Sequence, residues 1–222
     1  MRYVLPIALL ICLAALIALS PHLEPQRLRV RARQVREQLH TEHGFREGSK
    51  ASWAATRAGG WPPFHYGTHG ELDNVLVGTV DGLPVRAAGY EVGFNGSRHR
   101  YGLVLIVLPR PVEWLEVRGE RPFHAARVAE HVPDGALKLG VPEFDAGWSV
   151  YAETAETQRA ASSAGLAQAM LGAPTRFCWR AHGTDLLLWK RDGWSDASQL
   201  LATIGCVTHV LGLAGTYPQA AV

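Results

Sequence analysis

Asn74 to Phe94, NVLVGTVDGLPVRAAGYEVGF, decides the fold class. Val75 to Val80 and Val85 to Val92 are rich in β-branched and small residues, and Asp81-Gly82 stands between them. That dipeptide tolerates positive φ at both central positions of a two-residue hairpin turn, so the spacing predicts two antiparallel strands. Outward on the carboxyl side, Tyr101 to Leu108 (YGLVLIVL) is an apolar run bounded by Arg100 and Pro109. Such a run reads as a central strand buried on both faces. Asn95-Gly96 supplies the turn before it, which makes a three-stranded antiparallel meander. Trp114 to Arg118 (WLEVR) alternates and is expected as a fourth strand.

Further along, Pro122 to His131 has the makings of a short helix ended by Pro133-Asp134-Gly135, and Trp148 to Ala152 (WSVYA) reads as a strand. Ala155 to Leu171 is expected as one helix, closed by Gly172 and Pro174. Arg176 to Ala181 and Asp185 to Lys190 then form a second hairpin about His182-Gly183. Ser195 or Asp196 can cap a last helix running to about Leu213, with Leu200, Leu201, Ile204, Val207, Val210 and Leu211 on its core side. A meander, a hairpin and a packed carboxyl-terminal helix give an α+β domain. A PH-like closure of the sheet around that helix is one version of it.

Outward on the amino side, Phe45 to Glu71 is rich in Gly, Pro, Trp and His and reads as an irregular lead-in. Before it, Gln26 to about His43 places Leu28, Val35 and Leu39 at helical spacing and ends at Gly44, a residue suited to a C-terminal stop. Before that again, Tyr3 to Leu19 (YVLPIALLICLAALIAL) is apolar and uncharged. At helical rise it spans roughly 25 Å, the short end of what crosses a bilayer. The alternative is a secretory signal peptide, but its nearest cleavage point, Ala18-Leu19-Ser20, is followed by Pro21. An uncleaved anchor is the expectation. Arg27, Arg29, Arg31, Arg33 and Arg36 follow it closely, and positive charge marks the cytoplasmic side. The chain therefore divides into an anchor (1–21), a basic juxtamembrane helix and linker (22–60), an α+β domain (61–215) and a tail (216–222).

The formal net charge of +2 is small and concentrated in the stem, which argues against a nucleic-acid partner. The five stem arginines are the candidate membrane-surface contacts, facing anionic lipid. The expected partners are thus the bilayer and, beyond it, a protein at the membrane.

Chemistry is harder to find. His40 and His43, and His65 and His69, are spaced as pairs, yet neither has a third ligand of matching spacing, so no metal is expected. Cys178 with His182 or His209 would be a nucleophile and base, but a small residue between Phe177 and Trp179 is an ordinary strand occupant. Glu143 and Asp145 read as the edge of a loop before Trp148. Trp114, Trp148, Trp179, Trp189 and Trp194 suit a core or an aromatic binding face, and at least three are expected in the core. No phosphate-binding loop and no cofactor motif occurs. Cys178 and Cys206 stand far apart and form no disulfide framework.

NVLVGTVDGLPVRAAGYEV (Asn74 to Val92), FDAGWSVYAE (Phe144 to Glu153) and WRAHGTDLLLWKRDGWSDASQLLA (Trp179 to Ala202) resemble a family of actinobacterial membrane-anchored proteins of unknown function. The chain departs from that family's pattern at Ala88-Gly89-Tyr90, where Phe-Asp-Tyr is usual. The resemblance implies a tether plus a small α+β domain, and brings no activity or site residues. The expectation is a non-catalytic, membrane-tethered cytoplasmic module that binds protein or lipid. A hydrolase built on Cys178 or on Glu143 and Asp145, and an exported envelope protein, are the alternatives.

Overall fold

The computed structural model describes residues 26–54, 61–64, 68–94, 97–119, 135–162 and 164–212. The expected anchor, the helix over Pro122 to His131, the Asn95-Gly96 turn and His65 lie outside these residues. Among the described residues no helix is long and apolar enough to cross a membrane.

Helix α1 spans residues 26–43, as its periodicity predicts, and buries Val35 and Leu39. Gly44 at φ +67° ends it, and the Phe45 amide turns back onto the Leu39 carbonyl at 3.0 Å. Next come a two-residue strand β1 (Arg46–Glu47) and one turn of helix, α2 (Ala51–Ala54). The lead-in is therefore not irregular throughout. Its aromatic residues Phe45, Trp53 and Trp61 find buried places on the sheet.

The hairpin forms as the sequence requires. β2 (Thr68–Val80) and β3 (Leu83–Phe94) flank Asp81 and Gly82, both at positive φ (49° and 78°). Asn74, also at positive φ, marks the register shift between Asp73 and Leu76. Such a bulge bends the strand at a residue that tolerates the left-handed region. Gly78 leaves room for the Phe45 ring, whose atoms would lie 2.8 Å from an added Cβ.

The next strand corrects an expectation. Tyr101–Leu108 and Trp114–Arg118 are one strand, β4 (Ser97–Arg118), with Pro109 and Pro111 exposed in its middle. Proline cannot donate to a ladder, so it is tolerated where the ladder is interrupted. Register shifts between Val107 and Val112, and again between Val112 and Leu115, are that interruption. The expected hairpin over 176–190 is likewise one strand, β6 (Cys178–Arg191). Gly183, at φ +61°, is a bend and not a turn, and it stands in register with Val112. The two long strands bend together.

Between them lie α3 (Pro142–Gly147), β5 (Ser149–Ala152), α4 (Ala155–Ala161) and α5 (Ala164–Leu171). The single helix expected over 155–171 is thus broken, and at the break the Ser162 hydroxyl donates to the Gln158 carbonyl. Competition of this kind between hydroxyl and backbone weakens a helix. The chain closes with α6 (Ala197–Val210), capped by the Asp196 carboxylate accepting from the Gln199 amide at 2.7 Å.

The result is an α+β fold with one antiparallel sheet. β3 and β5 share one edge of β4, β3 along its first half and β5 along its last four residues, while β6 takes the other edge. Among the described residues no ladder joins the two ends of the sheet. Alternation splits the core into two. Val104, Ile106, Leu186 and Leu188 face α1 and α6, where Val35, Leu39, Leu200, Ile204 and Val207 pack. Leu103, Leu105, Leu187 and Trp189 face the other way, under Trp53 and Trp61. Trp148, Trp179, Trp189 and Trp194 are buried, and Trp114 is half-buried.

Candidate functional site

The arrangement of strands decides where arginine gathers. β4 begins SRHRY and β6 ends WKR, with Asp192 just beyond it, and antiparallel pairing sets Tyr101 opposite Arg191. The charged ends of both strands therefore meet at one end of the sheet. The first turns of α1 pass over the same end. Arg27, Arg29 and Arg31 from α1, Arg98 and Arg100 from β4 and Arg191 from β6 line one cleft of about 640 Å³, together with His99, Glu91 and Asp192.

The cleft carries more positive charge than its carboxylates neutralise. Arg98 pairs with Glu91 at 2.7 Å and Arg100 with Asp73 at 2.6 Å, while Arg27, Arg29 and Arg31 make no ion pair among the described residues. Burial, and then the charge of Arg191, hold the His99 imidazole below its ordinary pKa, with Asp192 pulling the other way. An arrangement of guanidiniums from three elements can accept an anion with several oxygens, which it would hold by charge-assisted hydrogen bonds.

The five stem arginines divide. Arg27, Arg29 and Arg31 enter the cleft; Arg33 is exposed outside it. Arg36 turns inward to Glu47 and, at 3.3 Å, to Asn74. Sequence reasoning missed Arg98, His99, Arg100 and Arg191. The available signal was the basic flank of each apolar strand, which becomes one cluster once the two runs are laid antiparallel.

A second gathering lies on the far face of the sheet. Glu116 is fully buried and pairs with both Arg118 and Arg180. The Arg180 guanidinium lies 5.6 Å from the Trp61 ring centre and 5.5 Å from that of Trp114. Arg118 lies 5.2 Å from the Tyr151 ring centre. Buried charges persist only when paired and hydrogen-bonded, and this carboxylate provides that partner.

Between α1 and the sheet a smaller cavity of about 60 Å³ lies against the paired glycines Gly89 and Gly102. Trp194 sits on Gly102, 2.8 Å from where a Cβ would stand, and its Nε1 has no partner among the described residues. A space of that size admits a few water molecules and excludes a lipid chain.

The other candidates are drawn into structure. Cys178 is buried on the far face, and His182, four residues along the same strand, is about 13 Å away by strand rise. His209 belongs to α6, on the opposite side of the sheet. Cys206 donates to the Ala169 carbonyl, and burial pushes its thiol pKa up. Glu143 and Asp145 lie on α3, not on a loop, and Asp145 accepts from the amides of Leu139 and Gly140 at 3.0 Å each. His40 meets the Phe45 carbonyl through Nδ1 at 2.7 Å. Among the described residues no group of three or more His, Cys, Asp or Glu side chains is placed to hold a metal ion.

A solved structure shares this fold. It is the mycobacterial trehalose monomycolate transport factor A, TtfA, with a TM-score of 0.56 at 15% identity. The likeness covers 83% of this chain and 97% of that one. No family model matches the chain, and no curated protein sequence does.

Proposed function

We propose that this chain is a membrane-tethered, non-catalytic module of the actinobacterial family it resembles, an accessory to lipid movement with its domain on the cytoplasmic side. The cleft is the observation that carries the reading. Arginines from α1, β4 and β6 collect beside the first turn of α1, the point where residues 3–19 feed into the domain. A basic face held next to an anchor meets anionic headgroups without any search, and each arginine near the surface adds about 1 kcal/mol. The shared fold supports the lipid part, because the neighbour is a transport factor for trehalose monomycolate. The non-catalytic part is supported by the fixed structural contacts of Asp145 and Cys206 and by the separation of Cys178 from His209.

Fractionation with topology reporters tests it. Fused after Val222, a cytoplasm-active reporter is expected to signal and an envelope-active one to stay silent, and the chain resists alkaline extraction from membranes. Deleting residues 2–20 releases it into the soluble fraction. Signal from the envelope-active reporter, or a cleaved chain free of the membrane, would overturn the proposal in favour of an exported protein.

A further inference from the structure

The cleft is more than a basic face. Stem arginines alone would give diffuse attraction to any anionic surface, tuned by charge count and insensitive to position. Here the stem arginines close a concave space against two strands of the sheet, with a volume typical of small-ligand pockets. Its cations come from different directions: Arg27 and Arg31 from one face of α1, Arg98 from β4 and Arg191 from β6. Several guanidiniums around one space match an anion with several oxygens better than a flat charged surface does.

We propose that the cleft seats the headgroup of a single anionic phospholipid, with its phosphate held between α1 and the ends of β4 and β6. The bilayer is the source because the connection from Leu19 to Arg27 reaches no farther than about 28 Å fully extended. The cleft therefore stays close to the headgroup layer. The acyl chains remain in the bilayer, since the neighbouring cavity of about 60 Å³ has no room for them. The inference rests on the tether reading, and the two can fail separately: topology reporters address the tether, headgroup titration the cleft.

The test uses the full chain in a neutral detergent, titrated by calorimetry with dihexanoyl-phosphatidylglycerol, dihexanoyl-phosphatidylcholine and glycerol phosphate. Phosphatidylglycerol is expected to bind with a stoichiometry of one, and phosphatidylcholine much more weakly. Arg98→Ser and Arg27→Ser, each removing a charged donor from the cleft, weaken binding about tenfold. Arg33→Ser removes the same charge from the same helix outside the cleft and changes binding less than about twofold. Thermal melts confirm that each variant is folded, and Arg27 is exposed, so that variant reads the cleft even if Arg98→Ser does not fold. Equal losses for Arg33→Ser and Arg27→Ser would overturn the site in favour of diffuse attraction. Glycerol phosphate binding as tightly as phosphatidylglycerol would overturn the lipid source in favour of a soluble phosphate compound.

Discussion

Arg118 and Arg180 lie inside the protein, and Arg27, Arg29 and Arg31 lie in the open cleft at the other end of β4. The side chain is the same and the surroundings are opposite. The inner pair shares a fully buried carboxylate and lies against aromatic rings. The outer arginines outnumber their carboxylates and keep their heads exposed. Buried guanidinium must be neutralised to fold at all, whereas exposed guanidinium costs nothing to leave unsatisfied because water serves it. Stability should therefore depend on the inner group and binding on the outer one.

The sharpest way to break that contrast is Glu116→Gln. Removing the shared carboxylate leaves the buried Arg180 and the half-buried Arg118 without it, and a loss of about 3–5 kcal/mol is expected, read as a lower denaturant midpoint with an unchanged slope. A loss under about 1 kcal/mol would mean that water reaches the inner group and the contrast is false. Arg180→Lys keeps the charge but not the plane that faces two indole rings and the carboxylate, and should cost about 1–2 kcal/mol.

Asp196→Ala calibrates both, because this carboxylate belongs to neither group. It caps α6, and its hydrogen bond from the Gln199 amide, then that from the Ser195 hydroxyl, hold its pKa below the ordinary value. A depressed folded pKa contributes stability that is present above the unfolded pKa and lost as pH falls through the folded one. Asp196→Ala should thus cost about 1 kcal/mol at neutral pH and match the parent in strong acid. Melts of both proteins across that range check it. The smallest effect belongs to Arg29→Ser in the cleft, expected within about 0.5 kcal/mol of the parent. A larger loss would make the outer arginines part of the scaffold.

The two groups also differ in how far the sequence disclosed them. The Arg-rich stem is a contiguous run, so Arg27, Arg29 and Arg31 could be singled out from it. Arg98 and Arg191 could not, because their meeting depends on β4 pairing with β6 across most of the domain. The inner group was hidden because nothing in WLEVR or WRAH shows that Glu116, Arg118 and Arg180 meet, or that Trp61 and Trp114 lie over Arg180. Elements set by local rules were legible, namely the Asp81-Gly82 hairpin, α1 ending at Gly44, and α6 behind Asp196. Proline at 109 and 111 and glycine at 183 read as ends because they end most strands. In this chain they fall together at one bend, a coincidence that only the register reveals.

That register has a consequence for synthesis. The apolar edge of β4 at Leu103 to Leu108 is complete early, but its partner is β6, with Leu105 opposite Leu187. At ordinary rates of translation, the roughly 80 intervening residues take about 4–16 s to emerge. During that interval this edge of a hydrophobic strand waits unpaired on the nascent chain. A ribosome stalled before Cys178 would therefore leave a sticky intermediate, and rare-codon placement between β4 and β6 should govern how much of the protein survives.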